Sequence, residues 1–193
     1  LTVEVRCRGV GGGEVEDEAL REAAGEGFVN EVRHLLAARA DIRATAVFER
    51  TPLHLSAQNG HMEVSQMLIA EGANIHAIDD HLERTPLHLA VVNGHVAVCQ
   101  MLIAEGADIH ATDADRMTPL HLSALEGYIE VCRVLVGARA NVHAVDAAGN
   151  TPLHLSAQEN HLRVSQMLVG AGASVTALDL HRWTPLHVSA LEG

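Results

Sequence analysis

Seven residues return along this chain at a nearly constant interval. TPLHLSA occupies 51–57, 118–124 and 151–157, with near-copies TPLHLAV at 85–91 and TPLHVSA at 184–190, so successive copies start 34, 33, 33 and 33 residues apart. The stretches between them recur as well: GFVNEVRHLLAARADIRA (27–44), GHMEVSQMLIAEGANIHA (60–77), GHVAVCQMLIAEGADIHA (94–111), GYIEVCRVLVGARANVHA (127–144) and NHLRVSQMLVGAGASVTA (160–177). A period of this length means one small unit stacked on copies of itself, each burying its apolar face against the next.

Within a unit the residues specify two short helices. Thr51 can cap the first with its hydroxyl, and Pro52 fills the first helical position, where no N–H is needed. Leu53, Ser56 and Ala57 then share one face. Gly60 turns the chain, and Asn160, which departs from glycine there, also tolerates a left-handed backbone. Val64, Met67 and Leu68 give the second helix its apolar face, and Gly72 ends it in the pattern of a left-handed cap. Helices below about 12 residues are marginal alone in water, so the units must stack.

Composition narrows the chemistry. The chain is 48% apolar yet has only two Phe, one Tyr and one Trp, which predicts an aliphatic core of closely packed helices. The formal charge is −12, and all 13 basic residues are Arg. Without lysine there is no P-loop, no Schiff base and no kinase-type lysine. The run GVGGGE at 9–14 therefore reads as a flexible linker, not a phosphate cradle. So acidic a chain is a poor match for a nucleic-acid backbone. Cys7, Cys99 and Cys132 lack the density of a disulfide scaffold, no apolar run would insert in a membrane, and no signal peptide opens the chain. These features point to the cytoplasm, with the nucleus as the second compartment. The chain starts at Leu1, as a fragment or processed product does. Residues 1–8, LTVEVRCR, alternate as a strand would, and an acidic helix follows, with seven acids against one Arg between Glu14 and Glu31.

Fourteen histidines raise the question of metal chemistry. Most fall into ladders, one rung per unit: His54, His88, His121, His154 and His187 in TPLH, His61, His95 and His161 after the turn, and His76, His110 and His143 before the next loop. Packed helices stand about 8–10 Å apart, too far for successive rungs to share an ion whose nitrogens lie ~2.0 Å from it. Ser56 and its copies are two residues from a His, and i, i+2 side chains do not face each other. Cys99 and Cys132 take the place of Ser65 and Ser165, a small packing position. The expectation is no enzyme, no cofactor and no metal.

Period and wording together resemble the ankyrin repeat: D-x-x-G-x-T-P-L-H, then A-x-x-G-H, then L-L-x-x-G-A-D, over roughly residues 17–193. The resemblance implies an all-α solenoid of stacked helix–turn–helix units with β-hairpin or loop tips. It divides the chain into a tail and Gly linker (1–16), a degenerate first unit (17–45), full units at 46–78, 79–112, 113–145 and 146–178, and a shortened one at 179–193. It also implies that the TPLH imidazole ties the helix start to neighbouring backbone.

The implied function is that of a monomeric scaffold binding another protein through tips and concave face. The alternative is a targeting or regulatory arm of a larger enzyme or channel. Carried onto this chain, the tip positions are Val47, Phe48, Arg50, His81, Leu82, Arg84, Asp115, Met117, Asn150, Leu180, His181 and Trp183. The helix-end positions are Gln58, Asn59, Val92, Asn93, Leu125, Glu126, Gln158 and Glu159. Phe48 and Trp183 are the expected anchors, with Arg50, Arg84 and Arg182 supplying charge; the other reading packs the aromatics on an adjacent tip. Several positions depart from the pattern. The tip glycine survives only at Gly149, Ala46 stands where Asp is usual, and one extra residue between Asp79 and Thr85 predicts a bulge. Arg39 and Arg139 replace the glycine that ends the second helix.

Overall fold

The computed structural model describes residues 12–191. They form eleven helices: α1 (Gly12–Glu26), α2 (Val29–Ala37), α3 (Pro52–Gln58), α4 (Met62–Ala70), α5 (Pro86–Val92), α6 (Val96–Ala104), α7 (Pro119–Leu125), α8 (Ile129–Gly137), α9 (Pro152–Gln158), α10 (Leu162–Gly170) and α11 (Pro185–Leu191). Among the described residues there is no strand. The strand-like residues 1–8 and Cys7 lie outside them.

One boundary differs from expectation. Gly12 and Gly13, read as linker, begin α1, so residue 16 falls inside a helix. Glu14 sits in its first turn, where a negative charge suits the helix dipole, and buried Leu20, Ala23 and Ala24 hold the helix on its neighbours.

The odd-numbered helices pack in one layer and the even-numbered in a second, each unit against the next. Leu20, Leu53, Leu87, Leu120 and Leu153 form one rung series of the core, and Leu35, Leu68, Leu102, Leu135 and Leu168 another. Each such leucine contributes about 1.5–3 kcal/mol by leaving water.

The recurrence of TPLH has a structural cause. Thr51 N–H donates to His54 Nδ1 at 3.2 Å, and His54 N–H donates to Thr51 Oγ1 at 3.4 Å. This is a capping box with imidazole in the place of Glu, repeated at Thr85, Thr118 and Thr151. The ring's far side crosses to the next unit. Nε2 donates to the carbonyl of Arg84 from His54 (3.1 Å), of Asn150 from His121 (3.0 Å) and of Trp183 from His154 (3.1 Å).

The histidines after the turn make a second tie, in the opposite direction. His61, His95 and His161 donate from Nε2 to the Gly25, Gln58 and Leu125 carbonyls, each at 2.9 Å. Their rings press on the preceding unit's turn, where a Cβ at Gly27, Gly60 or Gly127 would meet the imidazole at 2.5, 2.7 or 2.6 Å. Those glycines are needed for space as well as for φ near 80°.

Candidate functional site

Five loops project from the starts of the odd helices, and a single design underlies them. A backbone bond closes each: Ala46 to Arg50, Asp79 to Arg84, Asp113 to Met117, Asp146 to Asn150 and Asp179 to Trp183, at 2.8–3.0 Å. From the second loop onward the leading Asp is buried, and its Oδ1 accepts backbone N–H groups of its own loop, those of Leu82 and Arg84 for Asp79 and of Asp115 and Met117 for Asp113. Ala46 cannot do this. Its loop winds instead into a single 3-10 turn with Phe48 at φ 64° and Glu49 at φ 52°.

One backbone bond joins each loop to the next: Asp80 N–H to Phe48 O (3.0 Å), Ala114 to Leu82 (2.8 Å), Ala147 to Asp115 (2.9 Å) and Leu180 to Ala148 (3.1 Å). The loops are therefore a connected row. The register locates the extra residue. The outgoing carbonyl lies two residues after Asp113 and Asp146 but three after Asp79, so His81 is the insertion. It is exposed, and its ring stacks on Phe48 with centroids 4.9 Å apart.

A model of ankyrin repeats in three copies matches residues 20–113 and again 106–179. The chain belongs to the ankyrin repeat family. It is also similar to human ankyrin repeat domain-containing protein 49, at 40% identity over 57 residues, which are 29% of this chain and 24% of that protein. Ankyrin repeats are generally protein–protein interaction modules and generally non-catalytic. No helix among the described residues is long and apolar enough to cross a membrane.

In this ankyrin stack the two aromatics expected as anchors stand at opposite ends of the row. Phe48 is 47% exposed, with the Arg50 guanidinium 5.5 Å from its ring centre. Trp183 is 40% exposed, 5.7 Å from His181, while its main chain is fixed by Asp179 and His154. Val47, Leu180 and His181 are exposed beside them. Phe48 thus packs on the neighbouring loop and keeps a free face as well.

The arginines are placed differently from expectation. Arg50 pairs with Asp79 at 3.2 Å and donates to Gln58 Oε1 at 3.0 Å, and Arg84 pairs with Asp113 at 3.4 Å. Each is drawn to the buried Asp of the following loop, tying unit to unit. Burial alone would raise the Asp79 pKa, but the N–H groups of Arg84 and Leu82 and the Arg50 guanidinium hold it below the ordinary value. Arg182 is exposed and makes no ion pair among the described residues.

The helix-end positions line the base of the row. Asn59 donates to the Gly25 carbonyl at 2.7 Å, Asn93 to Leu89 at 2.9 Å, and Gln158 to Glu159 at 3.3 Å. Val92 and Leu125 are half-buried, and Glu126 is exposed. Met117 and Leu82 are half-buried under the loops, Asp115 is exposed, and Asn150 donates to Asp146 Oδ2 at 3.1 Å.

Sequence reasoning missed one series. Ile78, Val145 and Leu178, each immediately before a loop Asp, are 54%, 44% and 51% exposed, although three apolar residues at one repeat position were visible in the alignment. Cys99 and Cys132 are buried free thiols, and burial pushes their pKa up to about 12 and about 11. They are not nucleophiles near neutral pH.

Proposed function

We propose that this chain is a non-catalytic scaffold that docks a partner protein along its row of loops and the adjoining helix ends. The observation that carries the reading is the placement of Phe48 and Trp183. Both are large, half-exposed aromatics on backbone that is hydrogen-bonded into the row, so docking them costs little ordering entropy. Exposed charge between them is mainly acidic: Glu49, Asp80, Glu83 and Asp115 against Arg116 and Arg182. A mixed or mildly basic partner suits that pattern, and the −12 charge of the chain repels a strongly acidic one at long range. The scaffold acts as a monomer in a reducing compartment, where its buried thiols stay free.

The test compares what the wild-type chain and a Phe48→Ala/Trp183→Ala variant retain, by quantitative mass spectrometry and then by titration of the retained protein. Truncating hot-spot aromatics costs at least about 2 kcal/mol, roughly 30-fold in Kd. The expected outcome is that loss with a melting temperature close to wild type. Gln66→Ala and Gln100→Ala, exposed on second helices, should leave binding intact. A double variant that unfolds while single truncations bind normally would make the aromatics packing residues and move the site elsewhere.

A further inference from the structure

The two imidazole ties are not distributed evenly among the junctions. The junction of the 46–78 and 79–112 units has both, through His54 to Arg84 and His95 to Gln58. The junction of the 113–145 and 146–178 units also has both, through His121 to Asn150 and His161 to Leu125. The first junction has His61 to Gly25, and the last has His154 to Trp183. Between 79–112 and 113–145 both are missing. His88, fully buried, is left with Nε2 unpartnered, and Tyr128 occupies the place of the turn histidine and makes no such bond among the described residues. The Met117 carbonyl, the counterpart of Arg84, Asn150 and Trp183, is near enough to favour the charged ring of His88 but does not meet hydrogen-bond geometry, so the tie is weakened here where the others are formed.

What remains at this junction is of two kinds. At the loops, the Arg84–Asp113 pair and the Leu82–Ala114 backbone bond are kept. Within the helix layers the contact is apolar, through buried Leu87, Leu89, Ala90 and Val91. The 79–112 unit also lacks the hydroxyl pair of the 46–78 and 146–178 units, having Ala90 and Cys99 where Ser56 meets Ser65 and Ser156 meets Ser165. Apolar contact is non-directional and resists sliding or splaying far less than crossed hydrogen bonds do.

We propose that the junction between residues 79–112 and 113–145 is a hinge that divides the solenoid into two cooperative halves, pivoting on the loop contacts. Stability in a stack is a sum of unit and neighbour terms, so the junction without either imidazole tie between its helix layers is where the stack separates first. The half from 113 to 191 opens before the other, because Leu186 on α11 is 77% exposed. Opening there changes the curvature of the loop row without breaking either half.

Hydrogen exchange read by mass spectrometry at increasing sub-denaturing urea tests this. The expected result is two blocks of protection meeting between α6 and α7, with the later block exchanging at least tenfold faster. Tyr128→His installs the residue found at His61, His95 and His161, within reach of the Val92 carbonyl, and should close that difference by tenfold or more. The reciprocal His95→Tyr should weaken the intact junction before it. Exchange of all units as one block, a break at another junction, or a Tyr128→His variant that folds and keeps the same boundary would each overturn the hinge.

Discussion

His54, His88 and His121 carry their single ring proton on Nε2, since Nδ1 accepts the backbone N–H of the capping threonine. A second proton on Nδ1 would face that N–H donor to donor and open the capping box. Burial disfavours the charged ring further, outweighing nearby carbonyls and Asp79, Asp113 and Asp146. All three pKa values are lowered from 6.5, that of His88 to about 4, chiefly by burial. The unfolded chain protonates these rings near pH 6.5 and the folded chain resists, so the unfolded state binds more protons as acid is added. Stability present above pH 6.5 is lost as the pH falls toward the folded values. Urea melts at pH 7.5 and 5.5 in 0.15 M salt, where surface charge is screened, should show a loss at 5.5. His88 alone accounts for on the order of 1 kcal/mol of it. Equal stability at the two pH values would mean that the rings are not held neutral.

At the scale of the element, three of the seven-residue helices, α3, α7 and α9, are locked to their nine-residue partners by one polar contact each. Ser56 meets Ser65 at 2.8 Å, Ser156 meets Ser165 at 2.9 Å, and Cys132 donates to Ser123 at 3.1 Å. Where one position is Ala90 the other is Cys99, a group that tolerates apolar surroundings. A lone buried hydroxyl loses its partner, whereas removing both is nearly neutral. Ser65→Ala should therefore cost about 1 kcal/mol, and Ser56→Ala/Ser65→Ala less than the sum of the two single changes. Strict additivity in urea melts would show that the hydroxyls do not act as a pair. The helices themselves were legible in the sequence because cap, proline, apolar spacing and left-handed stop recur together. Even the departures hold: Arg39 and Arg139 keep φ at 67° and 70°, and Asn160 at 57°. The loops were less legible, because their geometry depends on the following unit. Nothing within 46–50 says that Arg50 reaches Asp79, and only the bonds from Asp80 to Phe48 and from Ala114 to Leu82, taken together, fix His81 as the inserted residue.

Across the whole molecule, burial is uneven from one end to the other. Leu53, Leu87, Leu120 and Leu153 are 0–3% exposed, whereas their counterpart Leu186 is 77% exposed. Beside it an apolar groove of about 600 Å³ runs between α10 and α11, lined by Leu162, Val169 and Pro185 among others. In every earlier unit a second helix fills this place, its buried leucine, such as Leu168, completing the rung series. Ser189 shows the same vacancy in polar terms: it donates to the Leu186 carbonyl, at 3.0 Å, without the second-helix partner that Ser56 and Ser156 have. Covering Leu186 contributes about 1.5–3 kcal/mol. Each ~1 kcal/mol raises the melting temperature of a chain this size by about 2–4 °C. Appending the stretch 161–177 after residue 193, since Gly193 already holds the turn position of Asn160, should therefore raise the melting temperature by several degrees. The same extension with Leu168 and Ser165 of the added copy changed to Asp and Ala should not, since it can neither fill the groove nor meet Ser189. Equal melting temperatures for the plain and the extended chain would show that this face is already stable without a covering helix.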